Sequence, residues 1–260
     1  MARESPDNTE VFQKTSEEKI RKKLKRKMNT KSTLWIMSVY AVAMALLESA
    51  VVVYLRHLYY ADNPLEIFPL QFLNSYDTVL ELSREGATVV MIVTVALLVD
   101  RSSPTRTFAA FVFLFGVWDV FYYFWLKVLM GWPRSWLEWD VLFLIPSPWL
   151  GPWICPAMIS LLFIVWGYWT LSAVDDISFA PRSLTVFMTG AGLGIASFLQ
   201  PSIAVLIDGG VAELSRYTPG SFWWWLFIPS YLLMTCGLVM TLRSANYKVS
   251  AAESARRTQK

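Results

Sequence analysis

The chain has 260 residues, of which 55% are hydrophobic, 15% aromatic and only 17% charged, with a formal net charge of +3. A soluble domain carries about 25% charged residues, and here the charges cluster largely outside long apolar runs. The composition therefore excludes a soluble enzyme with one large core and predicts an all-α, polytopic membrane protein. The bilayer also accounts for the basic residues, so nothing calls for a nucleic-acid partner.

Residues 1–31 form a polar, basic head. RKKLKRK at Arg21–Lys27 stands just before the first apolar run. Ile20, Leu24 and Met28 recur every four residues, which predicts a short amphipathic helix on the membrane surface. The apolar run that follows is longer than the roughly 7–15 residues of a signal-peptide core, so it is expected to be kept as a first span.

Six spans are predicted, at 33–57, 76–99, 107–130, 153–174, 184–207 and 222–242, each at or above the length of about 20 apolar residues that crosses a bilayer. They make up a membrane domain over 32–243, followed by a tail over 244–260. With the basic head cytoplasmic, both termini are cytoplasmic. Arg101, Arg106, Arg243, Lys248, Arg256, Arg257 and Lys260 then fall on the same side, as the positive-inside rule requires. The short loops point to a bacterial plasma membrane.

The loop between spans three and four is unusual. Its core, DVLFLIPSPWLGPW, is apolar and broken by Pro146, Pro148 and Pro152. It is too short to span, and it is expected to lie in the interface or to dip back as a re-entrant cap. Trp132, Trp136, Trp139, Trp149 and Trp153 around it suit the headgroup layer. In span five, TGAGLGIAS places Gly190 and Gly194 four residues apart, a spacing that lets helix backbones approach closely. Gln200 and Pro201 after it predict a kink near the outer end. Cys155 and Cys236 are expected to differ too much in depth for a disulfide, and so to be free thiols.

The charges inside the spans are one-sided. Spans four to six, as drawn, hold no Asp, Glu, Lys or Arg, whereas spans one to three hold Glu48, Arg56, His57, Asp77, Glu81, Arg84, Glu85, Asp119 and Lys127. An ionised group within a span costs roughly 2.5–3.5 kcal/mol on insertion scales, so each needs protein, water or a partner beside it. At about 1.5 Å per residue, Glu48, Glu81, Glu85, Tyr123 and Asp119 all come within roughly 9–18 Å of the outer ends of their helices. Asp77, Glu81 and Glu85 share a stripe, as do Asp119, Tyr123 and Lys127.

These acids are therefore expected to converge on one cavity reached from outside, with a scaffold formed by the second half of the chain. Glu48, Glu85 and Asp119 are the acid–base candidates. Glu81, Arg84, Trp118, Tyr122, Tyr123 and Asp140 are the candidate ligand-binding residues. His57, the only histidine, is a possible rim ligand, but one histidine and no cysteine at ligand spacing assign no metal. The sequence names no cofactor.

Three functions fit. One is a membrane-embedded enzyme or binding protein for a lipidic or other apolar small molecule. Another is a proton or cation conductor using the same carboxylates, which lacks ionisable groups in the inner halves of the spans. The third is a subunit or assembly factor of a larger membrane complex, or a homo-oligomer, whose polar face meets another chain. The bland counterpart to all three is that the charges are internal ion pairs, Glu81 with Arg84 and Asp119 with Lys127, that only fix helix register.

Overall fold

In the computed structural model, the backbone is described for residues 8–71, 75–99, 103–173 and 177–258. Side chains are described for the same stretches from residue 30 to residue 243, apart from 211–212. The elements are α1 (Asn8–Tyr59), α2 (Ser75–Val99), α3 (Pro104–Met130), β1 (Trp139–Phe143), β2 (Trp149–Pro152), α4 (Ile154–Ser172), α5 (Pro181–Leu214) and α6 (Trp224–Thr258). Six helices are long and apolar enough to cross a membrane, over Thr30–Tyr59, Ser75–Val99, Pro104–Met130, Ile154–Ser172, Pro181–Gly210 and Trp224–Arg243. Each bound lies within about one turn of the range expected from the sequence.

The helix ends carry their chemistry in the sequence. Pro104 and Pro181 open α3 and α5, where a missing N–H leaves no hydrogen bond unmade. Gly131 closes α3 in the left-handed region at φ 78°, and its N–H reaches the Lys127 carbonyl at 3.1 Å. The break in α5 is not at Pro201, which stays inside the helix. It falls at Gly210 (φ 71°, ψ −169°), a conformation open to glycine and strained for other residues.

Both terminal helices run on past their expected limits. α1 is one continuous helix from Asn8, not a separate surface helix followed by a span. The side chains of Ile20, Leu24, Met28 and the Arg21–Lys27 run lie outside the described residues, as do Arg101, Lys248, Arg256, Arg257 and Lys260. α6 likewise continues through the expected tail to Thr258.

α3 is the most buried of the six helices and α2 the least. α3 packs against α1, α2 and α4, while α5 and α6 form a second tight pair that joins the first group through α4 and α6. Close approaches are made at glycines. A Cβ on Gly116 would come to 2.5 Å from the Ser160 carbonyl oxygen, and one on Gly167 to 2.8 Å from that of Ala109. Gly190 lies against Met234 and Ser230, Gly237 lies against Phe187, and Ser230 Oγ donates to the Gly190 carbonyl at 2.8 Å. The small-residue stripe of α5 is thus a packing face.

At the end opposite the hairpin, Arg106 is not a loop charge. It is buried in the first turns of α3, and its guanidinium donates to the carbonyls of Thr170, Leu171 and Ala173 at 3.2–3.4 Å. Those carbonyls close α4, whose last turn leaves acceptors without intrahelical donors.

The segment between α3 and α4 corrects the expectation of an irregular loop. β1 and β2 form an antiparallel hairpin in the register Trp139↔Pro152, Asp140↔Gly151, Val141↔Leu150 and Phe143↔Trp149, with a bulge between Val141 and Phe143. Pro146 and Pro148 fall in the turn and Pro152 ends β2, so none of them interrupts the ladder. Gly151 lets β2 press on α5, since a Cβ there would meet the rings of Phe198 and Phe222 at 3.0 Å. Cys155 and Cys236 are free thiols.

Candidate functional site

All six helices and the hairpin surround one cavity of about 870 Å³. Glu48, Glu81, Arg84, Glu85, Trp118, Asp119, Tyr122, Tyr123 and Asp140 all line it. His57 does not. It is exposed, and its Nδ1 pairs with the Val53 carbonyl at 2.8 Å in its own helix. Lys127 is also turned to other work, with Nζ donating to the Gly131 and Pro133 carbonyls at 3.0 and 2.8 Å. The Asp119–Lys127 pair does not form.

The polar side is built from α1, α2 and α3. Arg84 of α2 donates to Glu81 Oε2 from Nη2 at 2.6 Å and from Nε at 2.9 Å, and it also contacts Glu48 of α1. Thr88, on the same stripe as Glu81 and Glu85, donates to Glu48 Oε2 at 3.2 Å. The stripe begins at Asp77, whose carboxylate accepts from Tyr59 at the end of α1. Asp119 is fixed from the far side, where Ser160 Oγ of α4 donates to Oδ2 at 2.8 Å.

Four ties hold the hairpin over the cavity. Asp140 of β1 pairs with Arg56 of α1 at 3.2 Å, with both side chains buried, and the same guanidinium lies 4.1 Å over the Trp132 ring. Glu85 of α2 accepts the Leu144 N–H on both carboxylate oxygens, at 3.1 and 3.2 Å. Ser147 in the turn meets Ser202 of α5 at 2.9 Å, and the Trp149 ring stacks on Phe198 at 6.4 Å. Burial pushes Asp140 above the ordinary aspartate range, to about 6, against the pull of Arg56, the Val141 N–H and Tyr123.

The other wall is apolar. Phe115 and Phe111 lie one and two turns further from the hairpin than Asp119, roughly 6 and 12 Å along α3. Phe163 of α4, Ala191 and Ile195 of α5 and Met234 of α6 continue this surface. The second half of the chain is therefore more than a scaffold, because it supplies this wall and the Ser160 hydroxyl. α2 and α5 both line the cavity without packing closely against each other. Among the described residues no group of three or more His, Cys, Asp or Glu side chains is arranged to hold a metal ion.

Sequence reasoning counted Arg56 among the span charges without giving it a role, and it passed over Thr88, Ser160 and Ser147. Thr88 was legible, three residues after Glu85 on one stripe. Nothing in the sequence paired Arg56 with Asp140, 84 positions away. Ser160 carries no signal of its own, since serines are common in apolar helices. Comparison of the chain with protein families, with curated proteins and with solved structures finds no match.

Proposed function

We propose that this is a multi-pass membrane protein that takes a lipidic or other apolar small molecule from the bilayer and holds it with its polar end among Glu48, Glu85 and Asp119. In the proposed orientation both termini are cytoplasmic and the hairpin caps the cavity on the outer side. The observation that carries this reading is the division of one cavity into a carboxylate–guanidinium side and an aromatic and aliphatic arm. About 870 Å³ falls within the roughly 300–1,000 Å³ usual for small-molecule sites. The loosely packed side between α2 and α5 is the route by which a molecule dissolved in lipid reaches the interior.

Glu85 and Asp119 are the groups that would exchange protons with a bound molecule, since neither has a guanidinium of its own at ion-pair distance among the described residues. The conducting alternative is less favoured. The arm leading away from the hairpin is walled by Phe111, Phe115, Phe163 and Met234, and Arg106 beyond it is occupied by the end of α4.

The test is mass spectrometry of organic molecules that stay with the purified full-length protein. A stoichiometric apolar molecule is expected, and Ala191→Phe, which fills the arm, should release it. A wild-type protein that carries no such molecule, and takes none up from bilayers of its native lipids, would refute the reading.

A further inference from the structure

Resting on the reading that an apolar molecule occupies this cavity, we infer that its polar end is an uncharged, hydroxyl-bearing head of the sugar or polyol class, seated between Asp119, Glu85 and the Trp118 indole. Charge decides the first half of this assignment. Five carboxylates, Glu48, Glu81, Glu85, Asp119 and Asp140, face two guanidiniums, Arg56 and Arg84. Both guanidiniums are already ion-paired, Arg56 to Asp140 and Arg84 to Glu48 and Glu81, although Arg56 Nη1 is buried without a hydrogen-bond partner of its own. A phosphate or carboxylate head would enter a cavity in which the carboxylates outnumber the guanidiniums five to two and each guanidinium already faces an acid.

Trp118 decides the second half. It lines the cavity, is only 6% exposed, and its Nε1–H has no hydrogen-bond partner in the structure. An indole N–H only donates, so it calls for an acceptor. A quaternary ammonium head would satisfy the acids but offers no acceptor to Trp118. A hydroxyl group does both, accepting from Nε1–H and donating to a carboxylate. Asp119 keeps acceptor capacity after receiving Ser160 on Oδ2, since a carboxylate has about four lone-pair sites. The Trp118 and Tyr122 rings, stacked at 6.3 Å and 30°, offer flat faces for the C–H side of a sugar ring.

The experiment compares three amphiphiles with the same dodecyl chain, binding to the full-length protein in phosphatidylcholine nanodiscs and corrected for empty discs. They are dodecyl glucoside, dodecyl phosphate and dodecyltrimethylammonium. The glucoside should bind at least about tenfold more tightly than either charged head, and Trp118→Phe should remove about tenfold of its affinity while leaving the ammonium compound unchanged. Glu85→Gln serves beside Trp118→Phe, and it should weaken the glucoside without affecting folding. Stronger binding of the phosphate or the ammonium head overturns the inference. So does equal binding of all three that is lost in Ala191→Phe, which would leave the apolar-ligand reading standing. Failure of all three to bind removes both.

Discussion

Arg56→Met would strand the Asp140 carboxylate inside the protein. In the native chain the pair is 3.2 Å long, with side chains 5% and 4% exposed, so neither charge has water to fall back on. Removing one partner of such a pair costs about 3–5 kcal/mol, because the remaining charge stays buried without compensation. Loss of the guanidinium from the Trp132 face adds roughly 0.5–2 kcal/mol. For a chain of this size each kcal/mol lowers Tm by about 2–4 °C, so the ion-pair term alone predicts a drop of roughly 6–20 °C.

The same site sets a pH dependence. Asp140, held up at about 6 mainly by burial, binds its proton more tightly folded than unfolded. Its contribution to stability is therefore fully present below the ordinary aspartate value near 4, and it is lost as pH rises towards about 6. Without Arg56 the folded value moves higher still, so the deficit of Arg56→Met should be large near neutrality and smaller at about pH 5, where the stranded acid is protonated. Asp140→Asn should flatten the dependence, and added to Arg56→Met it should restore part of the loss. Thermal unfolding followed by tryptophan fluorescence in detergent, at two pH values, reads all three variants. A drop of less than about 3 °C for Arg56→Met, or a deficit that ignores pH, would show that this pair does not hold the hairpin.

Gly116→Val should cost more than about 3 kcal/mol, because its Cβ would sit 2.5 Å from the Ser160 carbonyl oxygen, whereas Gly192→Ala, with nothing within 4 Å, should be neutral or better. Yield of monodisperse protein distinguishes the two. Glu85→Ala should release the hairpin at a cost of about 1–3 kcal/mol, while Glu85→Gln keeps an acceptor for the Leu144 N–H and its stability. Faster hydrogen exchange at 141–150 in the alanine variant alone is the expected signature. Arg106→Met, which deprives three carbonyls of their donor, should fray the end of α4, with protection lost at 170–173 and no change at the hairpin.

Much of the fold was legible because apolar length and breaker residues act locally. A run such as Phe108–Met130 has few options but a helix, and Pro104 and Gly131 mark its ends wherever it packs. The stripes Glu81–Glu85–Thr88 and Asp119–Tyr123 follow from helical spacing alone. The hairpin was not legible. Its prolines read as breaks, while its register rests on Gly151 fitting against Phe198 and Phe222 and on Asp140 meeting Arg56. Nor could spacing tell Lys127, which bonds the chain just beyond its own helix, from a partner for Asp119.

The division follows the range of the forces. Hydrophobic length, glycine and proline punctuation and helical periodicity act within a few residues, so six apolar helices and their polar stripes could be read from the chain in order. Which face of each helix turns inward is settled by contacts such as Ser160 to Asp119, Thr88 to Glu48 and Leu144 to Glu85, made between residues tens of positions apart. Only packing brings those residues together, and the cavity exists in that packing.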